Sequence, residues 1–249
     1  MKKLVVIFLG LLFLTLNLQS EAASDVGTDL LKKSDAIIFP DQCKFLFRLE
    51  DYEKDRSKRY SIYQGYMKGD NRYLLIGLEP ALVKGTAQLR IDETIFNYLK
   101  KVDVLQQVSA KVAFGNSTLS EEDVMGGKLE NYYKVSNLVM QEEKGKQVAV
   151  LTITAKSKDV AYHKIINYLD PVSCYPVKRL YYSFSGKQVR EMVFETIQMK
   201  NGKLDLLKFT MYDSLRRGWY SKVTINNFDY SKTIPDNIFT RMYLKLATK

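Results

Sequence analysis

Residues 146–244 read KQVAVLTITAKSKDVAYHKIINYLDPVSCYPVKRLYYSFSGKQVREMVFETIQMKNGKLDLLKFTMYDSLRRGWYSKVTINNFDYSKTIPDNIFTRMYL, and their punctuation decides the fold. Gln147–Ala155 stops at Lys156-Ser157-Lys158-Asp159, Ala161–Leu169 at Asp170-Pro171, and Val177–Phe184 at Ser185-Gly186-Lys187. Gln188–Gln198 stops at Asn201-Gly202, and Lys203–Tyr212 and Trp219–Tyr230 follow. These runs are rich in Val, Ile, Thr, Tyr and Phe, and the connections between them are short, which is the pattern of an antiparallel meander. Asn201-Gly202 is the sharpest hairpin signal, because a type I′ turn requires positive φ at both central residues.

The order of several pieces in this stretch resembles the LolA-like family of outer-membrane lipoprotein-sorting proteins, periplasmic carriers of lipidated proteins. The pieces are Leu151–Ala155, Tyr162 and Ile165 with Asp170, Pro176-Val177, Tyr182 with Ser185-Gly186-Lys187, Phe194, and Ile234-Pro235-Asp236 with Phe239-Thr240 and Tyr243-Leu244. Upstream, Pro80, Lys84-Gly85 and Asp92 with Phe96, Tyr98 and Leu99 extend it, although the family carries Trp where Phe96 stands and Pro where Lys100 stands. The resemblance implies a mainly β fold with helices: an incomplete antiparallel β-barrel, eleven or twelve strands wide, covered by helices on its concave side. It also implies a non-enzymatic carrier of lipoprotein acyl chains or another lipid. Its partners would be an inner-membrane transporter as donor and an outer-membrane receptor as acceptor.

Upstream of the meander, alternation predicts strands over Gln42–Tyr52, Tyr60–Lys68, Arg72–Leu78, Ala87–Ile91, Thr94–Leu99 and Tyr132–Gln141. Asp25–Ala36 has the apolar stripe of a helix, with Val26, Leu30, Leu31 and Ile37 on one side. Val104, Leu105, Val108 and Val112 fit helical spacing better than alternation, so a helix is expected across 102–125. Ser120 followed by Glu121, Glu122 and Asp123 reads as a capped, solvated helix start.

At the N-terminus, Lys2-Lys3, the apolar run Leu4–Leu16 and Ser20-Glu21-Ala22 read as a signal peptide cleaved after about Ala22. The run is short for roughly 30 Å of hydrocarbon. The expectation is therefore an exported, periplasmic chain with a single domain over residues 23–249. The formal charge is +10 over all 249 residues, one unit less after that cleavage. In an exported chain this charge argues against nucleic acid and leaves transient contact with membrane headgroups or acidic proteins.

The chemistry of catalysis is missing. His163 is the one histidine and sits in a strand pattern, where it reads as a surface residue. No GxGxxG or GxxxxGK[ST] motif occurs, so no nucleotide and no other cofactor is expected. A zinc site lacks ligands. Cys43 and Cys174 either form one disulfide in an oxidising compartment or remain two buried thiols. Seventeen Tyr, 12 Phe and 8 Met supply apolar surface suited to a hydrophobic ligand as well as to a core.

Choosing the apolar face of each strand as inward places Phe45, Phe47, Leu49, Leu151, Ile153, Leu207, Phe209 and Met211 in the cavity, with Phe96 and Tyr98 added. Val104, Leu105 and Val108 are the expected lid face. Arg190, Lys203 and Lys222 are expected on the outer surface. A different class of function, an exported interaction or adhesive β-module, would use the sheet edge instead of the cavity.

Overall fold

The computed structural model describes residues 25–54 and 57–248, so the predicted signal peptide lies outside the described residues. A helix, α1 (25–38), precedes strands β1 (Gln42–Glu53), β2 (Ser57–Lys68), β3 (Arg72–Glu79), β4 (Thr86–Ile91), β5 (Thr94–Leu99) and β6 (Val104–Val108). Two short helices, α2 (Glu121–Met125) and α3 (Leu129–Tyr132), lead into β7 (Tyr133–Glu143), β8 (Lys146–Ala155), β9 (Lys164–Leu169) and β10 (Pro176–Tyr182). The chain then forms β11 (Gln188–Lys200), β12 (Lys203–Asp213), β13 (Trp219–Asp229) and the C-terminal α4 (Arg241–Ala247).

The strands pair antiparallel in one sheet of order β6-β5-β4-β3-β2-β1-β13-β12-β11-β10-β9-β8-β7. β6 and β7 are its two free edges, so the barrel does not close. Asn201 and Gly202 have φ of 53° and 74°, the left-handed pair a type I′ turn requires between β11 and β12.

Register carries the concave face across the sheet. Leu49 pairs with Val223, Val223 with Phe209, and Phe209 with Phe194, so these four share one side. Phe45 pairs with Gly65, and a Cβ on Gly65 would sit 2.2 Å from the Phe45 ring. Glycine there lets the ring lie flat over β2.

The other half of the sheet is buried on both sides. Leu74, Ala87, Leu89 and Tyr98 form a second core on the convex face with Ile234, Ile238, Phe239 and Leu244 of the C-terminal segment. This overturns the inward placement of Phe96 and Tyr98. Phe96 pairs with Leu89 and Tyr98 with Ala87, under α4, while Ile95 joins the main core on the concave side. Where both faces are apolar, alternation no longer says which face is inward.

The expected helix over 102–125 is also corrected, and with it the lid of Val104, Leu105 and Val108. These residues belong to β6, an extra edge strand that raises the count to thirteen among the described residues. Asp103, with φ of 48°, turns the chain back so that Leu99 pairs with Val104, Tyr98 with Leu105 and Ile95 with Val108. Hydrogen bonding to the open edge of β5 outweighs the weak helix preference of a valine-rich segment. Leu105 packs in the convex core, Val108 borders the concave one, and Val104 is exposed.

Much of the aromatic surplus lies outside any cavity. Tyr52 and Tyr220 stack at 4.6 Å, Tyr212 lies 5.8 Å from Tyr220, and Lys222 stands over both Tyr52 and Tyr220. Lys203 and Lys222 are exposed, as expected. Arg190 is not on the outer surface: it pairs with inward-facing Tyr181, donates from Nε to the Thr118 carbonyl at 2.7 Å and forms an ion pair with Asp213. Both thiols are buried and free, Cys43 beside Tyr73 and Tyr230 and Cys174 beside Lys33, so no disulfide forms.

Candidate functional site: a covered concave cavity

Two covers lie over the concave face. The first is α1, whose buried residues Leu31, Ser34, Asp35 and Ile38 face the sheet. The second is the crossover 109–132, which runs from edge strand β6 to edge strand β7. Its residues Phe114, Leu119 and Met125 enter the main core. Ser120 caps α2 as expected: its Oγ accepts from the Asp123 amide, and the Asp123 carboxylate accepts from the Ser120 amide.

The acids of α2 are not solvated, contrary to the sequence reading. Glu121 is 2% exposed and accepts from Gln88 Nε2 at 3.1 Å. Glu122 accepts from Tyr133 Oη at 2.6 Å and from the Ala161 amide, and Asp123 accepts from Tyr162 Oη at 2.7 Å. Burial pushes the Glu121 and Glu122 carboxyls up to about 7, against the opposing hydrogen bonds of Gln88 and Tyr133. These acids pin the crossover to the sheet.

Beneath the covers is a cavity of about 70 Å³ whose lining includes Phe45, Phe47, Leu207 and Phe209. Met67, Tyr73, Leu75, Met192, Phe194 and Phe228 complete much of its wall. Of the other expected cavity residues, Leu49 lines a separate open groove of about 480 Å³ at one end of the half-barrel. Leu151, Ile153 and Met211 are fully buried in the same core but outside the cavity wall. The groove is walled by Pro80, Leu82 and Val83 of the β3–β4 connection and by Phe114, Gly115 and Asn116 of the crossover. Three rings stand between groove and cavity: Phe47, Tyr63 and Phe114, with centroids 5.5 to 6.2 Å apart.

Sequence reasoning missed Arg179, which lines the cavity together with Asp123. The signal was present, because Arg179 is two residues from Tyr181 in a strand and so shares its inward face. Met192 and Phe194 alternate in the same way. His163 is exposed and meets Phe184 at 5.2 Å, as its surface reading anticipated. Among the described residues, no three His, Cys, Asp or Glu side chains converge to hold a metal, and no helix is long and apolar enough to cross a membrane.

An open antiparallel half-barrel with a covered apolar hollow on its concave side is a LolA-like fold. The chain is similar to the crystal structure of a LolA superfamily protein from Nitrosomonas europaea, with a TM-score of 0.79 and 22% identity over 86% of this chain and 97% of that one. It is similar to a DUF1329 family protein from Desulfovibrio piger, at TM-score 0.78 and 18% identity over 89% and 99%. It is also similar to a domain from Vibrio parahaemolyticus described as an outer membrane lipoprotein-sorting protein, at TM-score 0.78 and 18% identity over 91% and 99%. A family model described as "uncharacterized protein" matches residues 69–246, and the chain belongs to that family. No curated protein matches the sequence.

Proposed function

We propose that this protein is a periplasmic carrier that takes acyl chains of lipidated protein into its concave cavity and helps sort lipoproteins to the outer membrane. The observation that carries the reading is the aromatic and aliphatic lining of that cavity beneath two covers. Likeness to a domain described as lipoprotein-sorting supports it. Moving an acyl chain into water costs roughly 0.8 kcal/mol per methylene, so a long chain needs a dry shelter to cross an aqueous compartment. At about 70 Å³ the cavity has to widen to take one, which assigns a moving role to a cover. An inner-membrane transporter would load the carrier and an outer-membrane receptor would unload it. No covalent chemistry is involved. A carrier of another lipid, serving an inner-membrane exporter, would use the same cavity.

The test is native mass spectrometry, with lipid extraction, of protein purified from the exported fraction. The reading expects a mature chain starting near Ala23 that carries lipid or acylated polypeptide. Protein that retains Met1, or that carries no lipid and takes up none when offered, would overturn it. A protein partner bound along β6 or β7 without lipid would favour an interaction module.

A further inference from the structure

On β9 and β10 the concave face carries a buried polar pair. Arg179 and Asn167 are cross-strand partners, in a row that continues through Met192 and Met211 on one side and Leu151 on the other. Arg179 Nε donates to Asn167 Oδ1 at 3.2 Å, and its guanidinium carbon lies 5.1 Å from the Phe194 ring centroid. Arg179 is 4% exposed and Asn167 fully buried. Arg179 Nη2 and Asn167 Nδ2 are nonetheless both without a hydrogen-bond partner in the protein. A buried donor left without a partner is destabilising. A wall built only for hydrocarbon would be more stable with two apolar residues there. Arg179 stands in the cavity wall and Asn167 is its cross-strand neighbour just outside that wall, so the two free donors sit at one place, suited to an acceptor oxygen.

The surroundings narrow the acceptor. Asp123 lines the same cavity, and the buried carboxyl of Asp35, on α1, lies within the electrostatic reach of Arg179. Once Asp35 has lost its proton, above about pH 7, a full negative charge on the ligand would meet it, whereas a neutral carbonyl would not.

Building on the acyl-cavity reading above, we infer that Arg179 and Asn167 recognise the carbonyl oxygen of an acyl ester or amide, holding the head of the chain on β9 and β10 while its methylenes run along Phe45, Phe47 and Phe209. The polar pair then sets register and selects acylated molecules over plain hydrocarbon.

The experiment offers delipidated full-length protein three ligands in competition with a neutral fluorescent apolar probe. They are monopalmitoylglycerol, the hexadecyl glycerol ether that lacks only the carbonyl, and palmitate. The ester should bind about tenfold or more tighter than the ether, since the ether leaves both donors unpaired. In Arg179→Gln and Asn167→Leu that preference should collapse towards parity through loss of ester affinity. The infrared carbonyl band of isotope-labelled ester bound to the wild-type protein should lie below its position in an alkane, a reading that does not depend on whether the variants fold. Equal binding of ester and ether, or a bound carbonyl band at the alkane position, would overturn the inference while leaving the carrier reading intact. Failure of all three ligands to bind would overturn the carrier reading itself. Palmitate binding tighter than the ester above pH 8 would replace the neutral carbonyl by a carboxylate and so overturn the ester assignment.

Discussion

The two covers of the concave face are held by different forces. The crossover 109–132 is tied down by polar contacts to strands on both sides of the sheet. Glu121 meets Gln88 of β4, Glu122 meets Tyr133 of β7 and Asp123 meets Tyr162 before β9. Thr118 donates from Oγ1 to the Met211 carbonyl of β12 and from its amide to Ser221 Oγ of β13. Helix α1 has far less. Leu31 and Ile38 bury its apolar stripe, the Asp35 carboxylate accepts from the Glu130 amide at 2.9 Å, and Lys32 forms a partly exposed ion pair with Glu130 at 3.9 Å. Ser34 Oγ and Asp35 Oδ1, both buried, have no partner. Apolar contact is non-directional and tolerates sliding, whereas a buried hydrogen-bonded acid fixes position. On the proposed carrier reading, this difference makes the crossover the fixed wall and α1 the cover expected to yield when the cavity widens.

The largest expected effect tests what lies beneath both covers. Phe47→Glu or Phe209→Glu places an unpaired carboxylate in the cavity wall, at a cost of several kcal/mol to ligand binding. Fluorescent fatty-acid titration should show binding reduced at least a hundredfold, while Thr152→Glu, on the opposite face of β8, binds as wild type. Circular dichroism checks that each variant is folded. Folded variants of either phenylalanine that bind normally would remove this wall from the site.

The second effect is pH dependence. Asp35, Glu121 and Glu122 keep their protons to about 7 in the folded protein, against ordinary values of 3.8 and 4.5, with burial the leading cause in each case. A carboxyl with a raised folded value stabilises the fold fully below its unfolded value. That stability is lost as pH rises through the folded one. Both covers should therefore loosen between about pH 4 and pH 7, with upper limits of about 4 kcal/mol for Asp35 and about 3 kcal/mol for each glutamate. Hydrogen exchange corrected for intrinsic rates should show amides in 25–38 and 117–125 less protected at pH 8 than at pH 5.5. Protection that rises with pH would contradict this assignment.

Glu122→Ala should come next, because it leaves the Tyr133 hydroxyl and the Ala161 amide unpaired, at about 2–3 kcal/mol. The melting temperature should fall and exchange should accelerate in 117–125 more than in α1. Equal acceleration in both covers would mean that they move as one body. Ser34→Ala should have the smallest effect, with the opposite sign. It removes an orphaned hydroxyl and adds a better helix former, so α1 should gain up to about 1 kcal/mol of protection. A destabilised α1 would show that Ser34 has a partner in solution.

The meander was legible from the sequence because its signals are local. Short turns such as Asn201-Gly202 and the alternation of Phe45, Phe47 and Leu49 with charged neighbours depend on backbone conformation and on one wet face. The same logic found the Ser120–Asp123 cap, whose geometry closes within four residues. It failed where the outcome depended on distant chain. Phe96 and Tyr98 went to the convex side because the C-terminal segment, more than 130 residues later, covers that face. Val104–Val108 became a strand because β5 had an open edge to satisfy. Glu121 and Glu122 were buried because the crossover carries them over the concave face to partners on β4 and β7. Arg179 alternates legibly with Tyr181, but only the packed barrel put it in the cavity wall with an unpaired donor. Sequence by itself determined where the chain turns and which residues share a face. The tertiary structure decided which face is inside, because burial depends on what covers a surface, and the covers here come from segments far apart in the chain.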